Sequence, residues 1–328
     1  MNSDHNSLAH HLNQWLSLVK GSKSDNTFRT SVNAGKSFMR AAGRIDISKL
    51  TEAHYSQFLK SLKGYNARTE RLYSTIIFGF YKYLSAKEIL LINLPKLEYI
   101  RQNEQRKPGK RLRKFDRPSI EQLKKYVIGY RIPIKKLPPI ECLILARSRA
   151  LIILSLDSGL RVSEIVKLMR SDLDFSDLSG SVIGKGNKER QFLFTEDSVS
   201  ALHFYFNLRA RLEPGRYKDI FPDQSPVFVS HSKRGHNKLV PMDTDTARLD
   251  LRRMISTALI KMKYPVTNHM LRHFAGDDLY KRTGDIELTR VMLGHESTQT
   301  TADNYIHDQD ELLRKAYRKH YGRSKISE

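Results

Sequence analysis

The chain has 328 residues, with 57 Lys+Arg against 35 Asp+Glu and a formal net charge of +22. That length suits two domains with separate cores, and 39% apolar with 28% charged residues excludes disorder as the main state. The lone Cys142 excludes an internal disulfide framework and a CxxC metal knuckle. The longest strongly apolar run, 150–156, is far short of the roughly 20 residues of a membrane span.

In chain order, MNSDHNSLAHHLNQ has no basic region leading into an apolar one, so no signal peptide is expected and the protein reads as soluble and intracellular. Leu8, Leu12, Trp15, Leu16 and Val19 repeat at helical spacing. Ser24-Asp25-Asn26-Thr27 supplies cap residues for a second helix with Phe28, Val32, Phe38 and Met39, which Gly43 ends. Two more periodic segments cover 52–62 and 67–84. In the second, Tyr73, Ile76, Ile77, Phe80, Tyr81 and Leu84 share one face, which reads as core rather than as a base-stacking platform. Residues 1–100 thus predict a small all-α domain, with 14 basic and 7 acidic residues.

Residues 101–117 carry eight basic residues against Glu104 and Asp116, with Pro108-Gly109 inside, and read as a basic linker. A charged run of this kind is either a solvated loop or a tether along a polyanion, where Arg106, Lys107, Lys110, Arg111, Arg113 and Lys114 would neutralise phosphates. The overall charge leaves nucleic acid as the leading partner class and an anionic membrane surface as its competitor.

Residues 118–328 read as mainly helical with a small antiparallel sheet. An apolar helix over 143–156 contains Arg147 and Arg149 and stops at Ser158-Gly159. Short strand-like runs at 181–183 and 191–194 flank Gly184-Lys185-Gly186-Asn187, a hairpin signal. Helical patterns return after about residue 201. They are broken by a loop over 213–241 in which Val227-Phe228-Val229 reads as one more strand.

Four segments of this second part carry groups suited to chemistry. In Asp157-Ser-Gly-Leu-Arg161-Val-Ser-Glu164, an arginine opens a helix, which is unfavourable unless an anion binds there or Glu164 pairs with it. Lys185 sits at a glycine-flanked hairpin tip; the full phosphate-loop pattern is absent, so the lysine is either a solvated turn residue or a proton donor to a leaving oxygen. In Asn268-His269-Met-Leu-Arg272-His273, His269 and Arg272 share a helix face, whereas the zinc-type spacing of His269 and His273 lacks the HExxH glutamate. The fourth segment runs from Leu293-Gly-His295 to Tyr305. Two arginines, a lysine, two histidines and a tyrosine are together the groups needed for tyrosine attack on a phosphodiester. The arginines oppose the charge of the pentacoordinate transition state, and the others manage the protons.

These segments resemble the tyrosine recombinase (phage integrase) family, in particular its Xer-like and integrase members. SGLRVSE resembles the box of the first arginine, VIGKGNKER the hairpin-lysine segment, HMLRH the HxxR box and LGHESTQTTADNY the final histidine–tyrosine box. SDNTFRTS, DISKLTEAHYSQFL and the 67–84 helix resemble the family's helical, SAM-like core-binding domain. The resemblance implies three parts: a DNA-binding domain at 1–100, the linker 101–117, and a catalytic domain with a C-terminal tail at 118–328. It assigns Arg161 and Arg272 to clamping the phosphate and Lys185 to general acid, with Lys188 as the fallback. It also assigns His269 to proton shuttling, His295 to the scissile phosphate, Tyr305 to the nucleophile and Glu164 to supporting Arg161.

The implied activity is site-specific cleavage and rejoining of double-stranded DNA through a 3′-phosphotyrosyl intermediate, without cofactor or metal. The implied assembly is a homo-tetramer at synapsis, a monomer or weak oligomer when free, cytoplasmic and nucleoid-associated. Two other classes share much of this chemistry: a catalytically silent DNA-binding regulator of the same fold, and a type IB topoisomerase. Asp277 and Asp278 stand where relatives usually carry uncharged residues. The stretch 130–141, with Pro133, Pro138 and Pro139, reads as longer than a minimal member requires, an insertion suited to a partner or DNA role. Past Tyr305, Leu312, Leu313 and Ala316 form an apolar face that either docks on a neighbouring subunit or stays in a solvated tail.

Overall fold

The computed structural model describes residues 6–107, 116–184, 189–212, 224–231 and 239–294. The chain divides into two compact units, Met1–Leu112 and Arg113–Glu328.

The first unit is built from five helices: α1 (Leu8–Ser22), α2 (Asp25–Ala42), α3 (Glu52–Ser61), α4 (Ala67–Ala86) and α5 (Leu94–Glu104). Short polar caps start them. Ser7 accepts from the His10 amide, Ser24 from the Thr27 amide and Asn66 from the Arg68 amide, each satisfying an orphan N–H of a first turn. Gly43, at φ 77°, stops α2 as its position in the sequence predicts. The core holds Phe38, Tyr55, Phe58, Phe80 and Tyr81, all buried, with Phe38 edge-on to Phe58 at 5.3 Å. Ile77, Phe80, Tyr81 and Leu84 of α4 lie in that core, as expected. Burial pushes the Tyr55 and Tyr81 phenols far above their ordinary pKa, and both donate instead to backbone carbonyls, Ser74 and Thr51.

Residues 101–104, expected to begin the linker, are the last turn of α5. Arg101 is held by Glu98 on the same helix and lies over the Phe78 ring. Arg106 is drawn onto Glu70, a buried carboxylate of α4 that accepts both its backbone N–H and its Nε at 2.8 and 2.6 Å. The helical pattern there has only Leu97 as a buried apolar residue, which is why the charge dominates the sequence reading.

The second unit contains α6 (Arg117–Gly129), α7 (Pro139–Ser158), α8 (Val162–Ile165), β1 (Leu173–Asp174), β2 (Ser179–Ile183), β3 (Glu189–Leu193), α9 (Glu196–Leu212), α10 (Thr244–Ala258), α11 (Asn268–Thr283) and α12 (Ile286–Leu293). The sheet is antiparallel in the order β1-β2-β3, with Ser179 opposite Leu193 and Ile183 opposite Glu189. Helix α7 is buried along almost its whole length, including Arg147 and Arg149, and α6, α9, α10 and α11 pack around it. Both arginines are fully engaged. Arg147 forks onto Asp250 of α10 at 2.7 and 2.9 Å and donates to the Val229 carbonyl; Arg149 donates to the carbonyls of Val127 and Ile128.

Two expectations change. Val227, Phe228 and Val229 are fully buried, but the segment makes only isolated bridges through Pro226 and Val229 and joins no strand of the sheet among the described residues. The 130–141 stretch does not stand off the surface as a separate insertion. Ile132, Ile134 and Leu137 pack against the core, and Pro138 starts α7, leaving Arg131, Lys135 and Lys136 exposed. No described helix is long and apolar enough to cross a membrane.

Candidate active site

The site is assembled where α7 ends. Gly159, in the left-handed region at φ 62°, caps α7, and an added Cβ there would come within 2.9 Å of Leu293. The chain then turns at once into α8, with Arg161 at its N-cap. Glu164, three residues on, reaches back: it accepts from the Arg161 backbone N–H at 2.7 Å and from the Arg161 guanidinium at 2.9 Å. Among the described residues Glu164 is the sole partner of that guanidinium, which stays 38% exposed and leaves its remaining N–H groups available to a ligand.

Glu164 is itself buried and also receives Arg190 of β3 at 2.8 Å. Burial pushes the Glu164 carboxyl up, but the Arg161 amide and the two guanidinium groups outweigh it, holding the pKa below the ordinary glutamate value. Burial likewise depresses Arg190, and the Glu164 charge opposes that shift. The second guanidinium nitrogen of Arg190 donates to the Met292 carbonyl at 3.1 Å, at the end of α12.

Arg272 comes from the opposite side, on α11. Its side chain is buried and donates to the Gly159 carbonyl at 2.7 Å and to the Leu293 carbonyl. Arg161 and Arg272 therefore hang from the same two short chain segments, 159–164 and 292–293. The first is tied to Arg161 through Glu164 and to Arg272 through Gly159. The second is tied to Glu164 through Arg190 and to Arg272 through Leu293. His269 is exposed one turn before Arg272. Its ring meets His273 edge-on at 4.4 Å, with Nε2 to Nε2 at 3.1 Å, one nitrogen donating and the other accepting. No group of three or more His, Cys, Asp or Glu suited to a metal ion occurs among the described residues.

Lys185, the fallback Lys188, His295, Tyr305, and the linker residues Lys110, Arg111, Arg113 and Lys114 lie outside the described residues. Lys107 is exposed at the end of the first unit, and Arg106 is bound to Glu70 there.

Several residues to which the sequence reading gave no role support the site. Asp157, buried at the end of α7, accepts from Thr195 and Ser198 at 2.5 and 2.7 Å, fastening α7 to the start of α9. Asp277 and Asp278 find their explanation in Arg117. That side chain binds both, and Glu121 as well, stacks over Phe274, and so staples α6 to α11 below Arg272. Burial works against the Arg117 charge, but the three carboxylates raise its pKa overall. Arg190 had a local signal: it shares a strand face with buried Phe192, two residues on. Asn268 is buried, and its side-chain amide has no hydrogen-bond partner among the described residues.

This helical unit with a three-stranded sheet, paired arginines and an acidic support is the architecture of a tyrosine recombinase catalytic domain. The phage integrase family model matches residues 141–311, and the chain belongs to that family. It is 34% identical over 169 residues to tyrosine recombinase XerC of Pediococcus pentosaceus, covering 51% of this chain and 52% of that protein. It is 33% identical over 180 residues to tyrosine recombinase XerC of Chlorobaculum tepidum, covering 55% and 51%. The chain thus spans about half the length of the curated relatives it matches. The fold is also that of the XerH site-specific recombinase bound to a palindromic difH substrate, at TM-score 0.66 and 18% identity over 93% of this chain and 83% of that one. A lambda integrase dimer bound to a COC′ core site gives TM-score 0.63 at 14% identity over 91% and 95%.

Proposed function

We propose that this chain is a site-specific DNA recombinase that cuts and rejoins strands through Tyr305. The observation that carries the reading is the convergence of Arg161 and Arg272 on segments 159–164 and 292–293. Arg161, through Glu164, and Arg272, through the Gly159 carbonyl, are thereby tied to one short chain segment, with Arg161 still open to a ligand. That arrangement suits a phosphodiester, whose two non-bridging oxygens take on extra charge as a fifth ligand adds to phosphorus.

In the proposed reaction the Tyr305 oxygen attacks phosphorus and its proton passes to His269. The bond to the 5′ oxygen breaks, and Lys185 protonates the leaving oxygen. His295 binds the phosphate, and a 3′-phosphotyrosyl ester results. Attack by the 5′ hydroxyl of another strand reverses these steps and releases Tyr305, so the ester conserves the bond and neither nucleotide hydrolysis nor a metal enters. The first unit and the basic segment 101–117 bind the flanking duplex. Four copies act on two sites, two strands at a time, and the protein works in the cytoplasm on the nucleoid.

The test uses nicked suicide duplexes randomised around the nick, with covalent complexes isolated on a denaturing gel and their DNA sequenced. Wild type forms the adduct with a defined set of sequences, whereas Tyr305→Phe, Arg161→Ala and Arg272→Ala do not. An adduct with Tyr305→Phe removes Tyr305 as the nucleophile.

A further inference from the structure

Arg190 stands at the centre of the cluster without belonging to the groups proposed to touch DNA. One nitrogen of its guanidinium meets Glu164, the carboxylate that holds Arg161; another meets the Met292 carbonyl. The end of α12 is shaped around it: at Gly294, φ 60°, a Cβ would lie 2.6 Å from both Cδ and Nε of Arg190. Its Nε is buried with no hydrogen-bond partner among the described residues, so the side chain gives up one bond to keep the other two. An arginine with only a solubilising role on a short edge strand would extend into water instead. Arg190 is the second residue of β3, the strand that follows Lys185 in the sequence.

Resting on the strand-cleavage reading above, we propose that Arg190 is a positioning residue for cleavage. By bridging Glu164 and the Met292 carbonyl, it fixes β3, Arg161 and the end of α12 in one register. The bridge needs a planar fork with two separate donors, which arginine has and lysine lacks.

The experiment compares full-length wild type, Arg190→Met, Arg190→Lys, Glu164→Gln and the Arg190→Met/Glu164→Gln double variant on a duplex recovered by the covalent capture. Binding is followed by fluorescence anisotropy, and adduct formation in single turnover. Arg190→Met should keep duplex affinity within about threefold while the adduct rate falls about 10²-fold, the signature of lost positioning rather than lost binding. Arg190→Lys, with the charge but its donors on a single nitrogen, should recover part of the rate. On the Glu164→Gln background the Arg190→Met penalty should shrink at least about tenfold, because the two act as one unit. Wild-type cleavage by Arg190→Met, equal losses of affinity and rate in both Arg190 variants, or penalties that multiply in full each overturn the proposal.

Hydrogen exchange of the same proteins without DNA separates this failure from that of the recombinase reading. Peptides over 161–166 and 289–293 should exchange faster in Arg190→Met, with the helices of the first unit unchanged. If wild type forms no adduct, the strand-cleavage reading fails, and unchanged exchange in those peptides removes the Arg190 bridge as well.

Discussion

Replacing Glu164 by glutamine changes one atom in shape and removes one charge, at a point where two arginines depend on it. The carboxylate accepts three hydrogen bonds, from the Arg161 amide at 2.7 Å and from the Arg161 and Arg190 guanidinium groups at 2.9 and 2.8 Å. An amide keeps one acceptor oxygen and turns an NH2 donor toward a guanidinium, so at least one of these bonds becomes a donor–donor contact. Oε2 accepts from the Arg161 amide and from Arg190, and Oε1 from the Arg161 guanidinium, so the amide oxygen can keep the first two bonds while its NH2 faces the screened Arg161, and the buried Arg190 loses its countercharge. Charge-assisted bonds contribute about 1.5–3 kcal/mol, and stranding a buried charge costs about 3–5 kcal/mol, so a partly screened case should lose about 2–4 kcal/mol. In a domain of this size that is a fall in Tm of about 4–16 °C, measured by calorimetry at neutral pH.

The same change has a pH signature. In the folded protein Glu164 is held below its ordinary pKa, so the folded state binds its proton more weakly than the unfolded chain does. Its contribution is therefore fully present above about pH 4.3 and disappears as pH falls through the lower folded value. The Tm gap between wild type and Glu164→Gln should accordingly close on acidification. A gap below about 1 °C at neutral pH, or one that stays constant down to about pH 3, refutes the reasoning.

Three further outcomes follow from the packing. Arg147→Met leaves the buried Asp250 with only a 3.5 Å contact to the exposed Arg253 and should cost about 3 kcal/mol in urea unfolding; Arg147→Met/Asp250→Leu should regain most of it, and no recovery would mean the pair is not the unit at stake. Gly294→Ala and Gly284→Ala both place a Cβ at positive φ, but only Gly294 has Arg190 in the way, the space at Gly284 being open. The left-handed backbone should cost each about 1–2 kcal/mol, with Gly294→Ala clearly worse, and equal losses would contradict the Arg190 contact. Asn268→Leu removes a buried amide that has no partner among the described residues and should be neutral or stabilising by about 1–2 kcal/mol; a loss of that size would reveal a contact made by the amide.

What could be read locally was read well. The cap at Ser24, the stop at Gly43, the end of α7 at Gly159 and the hairpin flanking Lys185 are each written in a few neighbouring residues. Backbone preference and side-chain-to-backbone bonds act over three or four positions. The misjudged features are those whose partners are far away in the chain. Charge at 101–106 hides a helix end because its anchor, Glu70, lies more than thirty residues earlier. Val227-Phe228-Val229 has strand composition, yet its backbone groups pair with Leu168 and Met242 rather than with a strand of the sheet. The acidic pair Asp277-Asp278 is unexplained until Arg117 is seen against it.

The opening charge of +22 is a property of the sequence alone, and so are the order and spacing of Arg161, Lys185, His269, Arg272, His295 and Tyr305. These suffice for the class of chemistry, because the residue types a phosphodiester requires are few and their motifs are short. Which arginine is open and which is buried was decided only by tertiary structure. Arg161 lies at a helix start with one carboxylate partner, while Arg272 is sealed between the carbonyl ends of α7 and α12. Arg190 is the clearest case. Its place on the strand face of Phe192 marks it only as pointing inward, and its role exists only because folding brings α8, β3 and the end of α12 within the reach of one guanidinium group.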